Sequence, residues 1–359
     1  MRILLFTFVA LVLLQNCTNP NLREKERIIG VKIYDHQGSF KQLVGEWKSI
    51  GINTAFVGKK LLTNRGFRQE VNKNEITTFV ILPIFFDEDA LNADPGLFAI
   101  KSNGERAVED WVKFVCPSND NFREDKINSI IQLVKEHNPD GLSIDFIRHF
   151  VYWEAVYPEV PSSSLPNTCF DPVCISNFQE YSGVKLPDSL DETETQSFWI
   201  LQNMPNEWTS WKCMLITSMV EEIVQKAKEV DPDILINVHI VPWRQGDFDN
   251  AINSIAGQDV KALAEFTNYL SPMAYAHMVK RDAGWVHAVV KDLYQHTQEN
   301  ILPSIQVKEE YLTDTLSSQV FQENLEYALL EPSKGVVFYS WEHLEKDPWK
   351  KEIIKKIVF

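Results

Sequence analysis

From residue 28 onward, short apolar runs alternate with amphipathic stretches along the chain. The runs are rich in β-branched and aromatic residues and are apolar at consecutive positions, which is typical of parallel strands covered on both faces. The stretches between them carry apolar residues near i, i+3 and i+4, which predicts helices. The predicted strands are Ile28–Tyr34, Thr54–Val57, Thr77–Phe86, Gly141–Phe146, Ile234–Val241, Tyr269–Tyr275, Ile301–Val307 and Gly335–Trp341. The predicted helices are Phe40–Ile50, Asn64–Asn72, Glu124–Glu136, Trp208–Val230, Val260–Thr267, Ala283–Gln298, Ser318–Leu330 and Trp349–Ile357.

This repetition of strand and helix favours an α/β fold, a (β/α)8 TIM barrel that occupies residues 28–359 as one domain. A doubly wound open sheet is the rival fold. It usually carries an early glycine-rich phosphate turn, and the sequence has none. In a barrel, the residues at the C-terminal ends of the strands build the active site.

Two connections are unusually long for such a barrel. The one after the fourth strand, from about His149 to Asn206, is rich in aromatic residues and prolines and contains Cys169 and Cys174. Long connections in compact domains are usually functional or disordered. The aromatic content and the cysteine pair predict an ordered lid over the mouth of the barrel. The third connection, Asp87 to Asn121, is also long.

The N-terminus predicts export. A basic start, Met1-Arg2, precedes a run from Ile3 to Leu14 that is apolar except for Thr7, with the length of a secretory signal rather than of a membrane span. The run ends at Leu14-Gln15-Asn16-Cys17, which resembles the lipobox of bacterial lipoproteins. The resemblance implies a signal peptide over residues 1–17, lipidation of Cys17, a tether over 18–27 and a membrane-anchored protein of the cell envelope. An ordinary signal peptide with an incidental cysteine is the alternative.

Four further cysteines lie in the barrel domain: Cys116, Cys169, Cys174 and Cys213. An exported chain can oxidise them, and four cysteines allow three pairings. Zinc is less favoured because no histidine lies at ligand spacing beside them. We therefore expect no metal and no cofactor.

The net charge and the aromatic content limit the classes of molecule that the protein is expected to bind. The formal net charge is −15, so phosphate backbones are repelled and nucleic acid is not expected. Ten Trp, ten Tyr and 21 Phe are available. Most must fill the core, but exposed rings suit the flat apolar faces of sugars.

The strand ends carry the candidate chemistry. The fourth strand ends in Asp140-Gly141-Leu142-Ser143-Ile144-Asp145-Phe146-Ile147-Arg148-His149, which places Asp145 and Arg148 at the mouth. The other strand ends supply Asp35, His239, Trp243, Tyr275, Gln306, Trp341 and Glu342. Glycosidic bond cleavage requires two carboxyl groups, and aromatic and polar side chains that hold the sugar. Structural roles are the alternatives: an ion pair for Asp145 and Arg148, and core packing for Tyr275 and His239.

Two of these segments resemble bacterial glycoside hydrolases with TIM barrels. Those proteins show an Asp-aromatic-Ile-Arg run on one strand and a Ser-Pro-Met-x-Tyr run on a later one. Asp145-Phe146-Ile147-Arg148 and Ser271-Pro272-Met273-Ala274-Tyr275 match both runs. The resemblance implies a carbohydrate substrate, an oligo- or polysaccharide.

The chain is more distantly similar to family 18 chitinase-like barrels, on Asp140, Gly141, Asp145, Met273, Tyr275 and Trp341. Ser143 replaces the second aspartate of that motif, and Ile147 replaces its acid glutamate. A substrate-assisted mechanism is therefore not implied. We expect the general acid on another strand or loop, Glu342 by preference and Glu154 in the lid as an alternative.

The leading hypothesis is an exported, lipid-anchored glycoside hydrolase in which Asp145 is the nucleophile or stabiliser and Glu342 the acid. Arg148, Tyr275, His239, Trp243, Trp341, Trp153, Gln306 and Asp35 would bind substrate. A barrel that binds carbohydrate without cleaving it is the alternative, which the missing glutamate at Ile147 favours. A metal-dependent hydrolase using His239, His277 and Asp145 is a weaker third.

Overall fold

The structure is a computed structural model that describes residues 27–359. The predicted signal peptide, the lipidation of Cys17 and nearly all of the tether lie outside these residues. Ten strands are present in the described part: β1 Ile28–Ile33, β2 Thr54–Val57, β3 Thr77–Pro83, β4 Val108–Glu109, β5 Val112–Lys113, β6 Gly141–Asp145, β7 Leu235–Ile240, β8 Tyr269–Pro272, β9 Ser304–Gln306 and β10 Gly335–Tyr339.

Helices follow most of the strands. They are α1 Phe40–Ser49, α2 Lys59–Leu62, α3 Arg65–Lys73, α4 Glu88–Ala93, α5 Asp120–His137, α6 Pro172–Ser182, α7 Thr193–Asn203, α8 Pro205–Val230, α9 Ala251–Ser254, α10 Val260–Ala264, α11 Gly284–Thr297, α12 Ser318–Ala328, α13 Trp341–Leu344 and α14 Pro348–Val358. Within residues 27–359, none of the helices is both long and apolar enough to cross a bilayer.

Eight of the strands form one parallel sheet in the order β8-β7-β6-β3-β2-β1-β10-β9. The sheet closes between its two end strands through parallel bridges from Leu270 to Ile301 and from Met273 to Ser304. The predicted (β/α)8 barrel is therefore confirmed, and each predicted barrel strand is present.

The N-terminal end of the barrel is filled by an apolar plug of Phe56, Phe79, Ile81, Tyr269, Leu302 and Val337. The rings of Phe56 and Phe79 stack with centroids 4.9 Å apart. This stack requires a glycine at position 141, because a Cβ there would lie 2.4 Å from the ring of Phe79. The plug leaves the C-terminal end as the open mouth, where barrel enzymes carry their sites.

The connection between β6 and α8 is more regular than its sequence indicated. It contains α6 and α7, together with 3-10 turns at Trp153–Ala155 and Ser162–Ser164. Asp171 caps α6, with its side chain accepting from the amides of Val173 and Cys174. The first residues of this lid reach the barrel mouth, and α6 and α7 pack on α8.

The connection after β3 carries an antiparallel hairpin of β4 and β5. Its turn presents Trp111 to the same mouth. The four cysteines within the described residues, Cys116, Cys169, Cys174 and Cys213, are buried and unpaired. The disulfides that the sequence left open are therefore not formed in this structure.

Candidate active site

A pocket opens at the C-terminal mouth of the barrel. Its volume is about 90 Å³, and it is open to solvent on one side. It is lined by Lys32, Tyr34, Trp111, Asp145, Phe146, Arg148, Trp153, Glu154, Met273, Tyr275, Met278, Glu310, Tyr311 and Tyr339.

Asp145 is the last residue of β6 and is 7% exposed. The chain turns sharply after it, since Phe146 has a φ of 48°, a strained value for an aromatic residue and one that often marks functional sites. This turn lets the amide of Phe146 donate to Oδ1 of Asp145 at 2.8 Å. Burial alone would raise the pKa of Asp145, but the charges of Lys32 and Arg148 and the hydrogen bond from the Phe146 amide lower it below its ordinary value.

Lys32, in the middle of β1, provides a buried positive charge beside Asp145. Its Nζ lies 3.4 Å from Nδ1 of His239 and donates to the Tyr275 hydroxyl at 3.3 Å. Burial lowers the pKa of Lys32 to about 8, and the charge of Asp145 opposes that shift. The side chain is therefore mostly an ammonium at neutral pH.

His239 is neutral in this arrangement. Burial, and then the charge of Lys32, lower its pKa to about 3. An ammonium at Lys32 can only donate, so Nδ1 of His239 accepts, and Nε2 carries the proton toward the Ser143 hydroxyl at 2.9 Å. Because His239 is uncharged, Lys32 and Arg148 are the cations that keep Asp145 ionised at neutral pH.

Arg148 is fully buried and lies over two aromatic rings. Its guanidinium is 4.7 Å from the ring centroid of Phe114 and 5.5 Å from that of Phe146. Its hydrogen bonds go to backbone carbonyls, above all to Val151 at 2.8 Å. Arg148 thus ties the start of the lid to the pocket and acts on the carboxylates by charge rather than by direct hydrogen bonds.

Glu154 lies in the 3-10 turn at the start of the lid and is 7% exposed. Its Oε2 is buried and has no hydrogen-bond partner in the structure. Burial raises its pKa to about 7; Arg148 opposes the shift and the charge of Asp145 adds to it. The pocket therefore holds two buried carboxyl groups whose pKa values move in opposite directions.

Aromatic rings form much of the remaining wall. Tyr275 stacks on Tyr339 with centroids 5.1 Å apart, and Trp153 lies 5.8 Å from Tyr275. At the rim, Nε1 of Trp111 donates to the hydroxyl of Tyr311 at 2.9 Å, which joins the β4–β5 hairpin to the segment after β9. These rings offer apolar faces next to the two carboxyl groups.

The structure brings four of the preferred site residues into the pocket lining, together with the alternative acid, Glu154: they are Asp145, Arg148, Tyr275 and Trp153. The others lie elsewhere. Trp341 packs edge-on against Trp47, and Trp243 packs against Phe248. The side chain of Gln306 accepts from the Met278 amide and donates to the Lys308 carbonyl, and Asp35 forms an ion pair with Lys60. His239 lies beneath the pocket lining in contact with Lys32.

Glu342, the preferred acid from sequence, does not line the pocket. Its Oε1 accepts from the amides of Tyr34 at 2.6 Å and Asp35 at 3.1 Å, so it holds the chain that leaves β1 against α13. Glu342 is therefore engaged by the backbone at the start of the β1–α1 connection and does not face the pocket.

Several lining residues were missed from the sequence. Lys32 had a signal, because a lysine in the middle of an apolar strand requires a buried partner. Tyr339 also lies on a predicted strand. Trp111, Glu310 and Tyr311 come from connections, and no periodic pattern marks them. His239, His277 and Asp145 do not form a metal-ligand cluster within residues 27–359, where the one such cluster consists of Cys116, Cys169, Asp171 and Cys174.

The fold resembles solved glycoside hydrolase barrels. The glycoside hydrolase domain of PgaB (BpsB) from Bordetella bronchiseptica matches with a TM-score of 0.69 at 14% identity, over 93% of this chain and 98% of that one. The β-galactosidase from Marinomonas ef1 matches with a TM-score of 0.68 at 9% identity, over 92% of this chain and 58% of that one. The β-galactosidase from Halorubrum lacusprofundi matches with a TM-score of 0.64 at 11% identity, over 92% of this chain and 57% of that one.

The chain thus spans nearly all of the PgaB domain but only a little more than half of the galactosidases. No protein-family model matches the sequence, and no curated protein matches it either. At these identities the likeness concerns the fold. The chain is a TIM barrel whose fold is similar to those of solved glycoside hydrolase barrels.

Proposed function

We propose that this protein is a glycoside hydrolase in which Glu154 is the general acid and Asp145 is the ionised partner. The observation that carries the proposal is the pair itself: two buried carboxyl groups line one pocket, one with a pKa of about 7 and one with a pKa below its usual value. Opposed pKa values of this kind are how glycosidases divide the acid and the anionic roles.

The chemistry follows from the two charge states. Protonated Glu154 donates its proton to the glycosidic oxygen as the bond to the anomeric carbon breaks. The carboxylate of Asp145 stabilises the positive charge that develops on the sugar. It then either attacks the anomeric carbon as the nucleophile or takes a proton from the water that attacks this carbon. Lys32 and Arg148 keep Asp145 ionised in the state that receives the substrate. Glu154 therefore takes the acid role that the sequence favoured for Glu342.

The substrate class rests on the pocket wall. Tyr275, Tyr339 and Trp153 supply flat apolar surfaces, and sugars present matching C–H faces between their hydroxyl groups. The exposed rim residues Trp111 and Tyr311 would continue this surface for the next sugar unit. The likeness to the PgaB domain, a glycoside hydrolase domain that the chain matches over almost its full length, supports the same class.

The proposal includes export and lipid anchoring. It rests on the apolar run from Ile3 to Leu14 and on Cys17 in a lipobox-like context. Metabolic labelling with a fatty-acid analogue tests it: wild type should incorporate label and Cys17→Ala should not. Equal labelling of the two proteins would refute lipidation.

The catalytic proposal is tested by incubating the protein with a panel of oligo- and polysaccharides and measuring new reducing ends. Asp145→Asn should abolish the reaction, while Asp35→Asn, an aspartate outside the pocket, should leave it unchanged. Glu154→Gln should retain most activity on aryl glycosides with acidic leaving groups, which need no proton, and lose it on natural glycans.

One result would favour the alternative of a barrel that binds carbohydrate without cleaving it: wild type binds a glycan tightly and yields no new reducing ends. The absence of a glutamate at Ile147 is the sequence feature behind this alternative. Equal activities of wild type and Asp145→Asn on the cleaved glycan would refute the assignment of Asp145.

A further inference from the structure

Three cysteines and one aspartate converge outside the pocket, between the two long connections. Cys116 follows the β4–β5 hairpin, whereas Cys169, Asp171 and Cys174 belong to the lid. The three sulfur atoms and a carboxylate oxygen all lie within 4.8 Å of one another. We propose that Cys116, Cys169, Asp171 and Cys174 form a structural zinc site that fastens the lid to the connection after β3.

The distances fit one tetrahedral ion. Zinc bonds to sulfur at about 2.3 Å, so ligand atoms at the corners of its tetrahedron are about 3.8 Å apart. A cluster that spans at most 4.8 Å therefore needs only small side-chain movements to reach that geometry. Thiolate-rich tetrahedral sites select zinc among the common divalent cations.

The aspartate is oriented for this role. Its Oδ1 accepts from the amides of Val173 and Cys174 at the start of α6. Its Oδ2 faces the cluster, 2.9 Å from the Sγ atoms of both Cys116 and Cys169. Two thiols thus share one carboxylate oxygen, and an ion that displaced their protons would take over that oxygen as its fourth ligand.

The surroundings suit a closed, anionic centre. The three cysteines are nearly or fully buried, at 3%, 0% and 0% exposure. The Ile100 amide donates to Sγ of Cys169 at 3.2 Å, and the Ser118 hydroxyl lies 3.2 Å from Sγ of Cys116, as outer-shell donors to thiolates do.

A disulfide explains the cluster less well. Three thiols meet at one point, so any pairing among them leaves one unpaired. Cys213 cannot complete a second pair there, because it lies outside the cluster with its thiol directed toward the Asn253 carbonyl. Zinc uses all three sulfurs, and binding would release one proton from each thiol.

The site would stabilise both walls of the pocket. Trp111 lies a few residues before Cys116, and the segment that begins at Trp153 and Glu154 leads to Cys169. No step of the proposed hydrolysis involves the ion. Its contribution would be a cross-link between two connections that otherwise meet through side-chain packing and a few hydrogen bonds.

The test is elemental analysis of the full chain purified from zinc-supplemented medium without chelator. Wild type and Cys213→Ser should each carry about one zinc per chain. The variants of the proposed ligands, Cys116→Ser, Cys169→Ser and Cys174→Ser, should bind zinc at least about tenfold more weakly, because the loss of even an outer-shell partner lowers metal affinity by about that factor. Asp171→Asn should also weaken binding, and it retains the α6 cap because asparagine caps helices as well as aspartate does.

Two further measurements use the wild-type chain and so do not depend on the folding of the variants. Removal of zinc by a chelator should lower the Tm of wild type and of Cys213→Ser. Cobalt(II) added to the metal-free chain should then produce intense tetrahedral visible bands and thiolate charge-transfer absorption. The proposal is overturned if the chain carries no zinc and cobalt gives no such bands, or if peptide mapping without reductant finds two of the three cysteines joined by a disulfide.

Discussion

The charge state of Glu154 can be tested by stability alone, without a substrate. Glu154→Gln preserves the shape of the side chain and removes its ionisation. A carboxyl group whose pKa is raised on folding stabilises the protein fully at pH values below its unfolded pKa. That contribution is lost as the pH rises through the folded pKa. The glutamine variant has no such dependence at this position.

The magnitude follows from the burial of the group. The pKa of Glu154 rises from 4.5 to about 7, and one pKa unit corresponds to about 1.4 kcal/mol. The wild type therefore loses about 3 kcal/mol of stability between pH 4 and pH 8 through this one residue. The difference in unfolding free energy, Glu154→Gln minus wild type, should be about 3 kcal/mol larger at pH 8 than at pH 4.

The assay is urea denaturation of both proteins at several pH values across that range. The pH-independent cost or gain of the substitution cancels in the comparison. Glu159→Gln, an exposed glutamate of the same segment, is the matched control, and its difference should stay constant to within about 0.5 kcal/mol. If the Glu154→Gln difference is equally flat, Glu154 is not held protonated and its assignment as the acid is refuted.

Three other results are expected. On a cleaved glycan, kcat/KM should fall as the pH rises above about 7, because Glu154 loses its proton there; a rate that stays level to pH 9 would contradict this. Lys32→Met removes a cation that lowers the pKa of Asp145, so the acidic limb of the pH–rate profile should move to higher pH. If this limb does not move, Lys32 does not influence the ionisation of Asp145. Gly141→Ala places a Cβ 2.4 Å from the ring of Phe79. This over-packing should lower the unfolding free energy, measured by denaturant titration, by about 1–3 kcal/mol. The control Gly45→Ala has open space around its new Cβ and should not destabilise the protein.

The barrel itself was predictable because its signal is local and repeated. Each strand is an apolar run such as Gly141–Asp145, and each helix has its own apolar stripe, so neighbouring residues carry the information. Asp145 and Arg148 could be placed at the mouth for the same reason, since a parallel strand in a closed barrel has one functional end.

The choice among the partners of Asp145 could not be made in this way. Lys32 was not singled out, and Glu154 was named only as the alternative to Glu342. Lys32 comes from β1 and Glu154 from the lid, so whether they line the same pocket as Asp145 depends on barrel closure and on the path of the chain after β6. Glu342 looked equivalent from its position after the last strand. Its role is set by the two amides of Tyr34 and Asp35, which only the folded chain brings to it.

The cysteines show the same division. The sequence left three disulfide pairings of the four cysteines open. In the structure, Cys116 from the preceding long connection meets Cys169 and Cys174. The sequence by itself determined the repeating strand–helix order, the barrel, and the strand end that carries Asp145, because these follow from periodicity and from chain direction. The tertiary structure decided which carboxyl group is desolvated, which lysine faces it and which sulfurs meet, because burial and charge proximity depend on groups far apart in the chain.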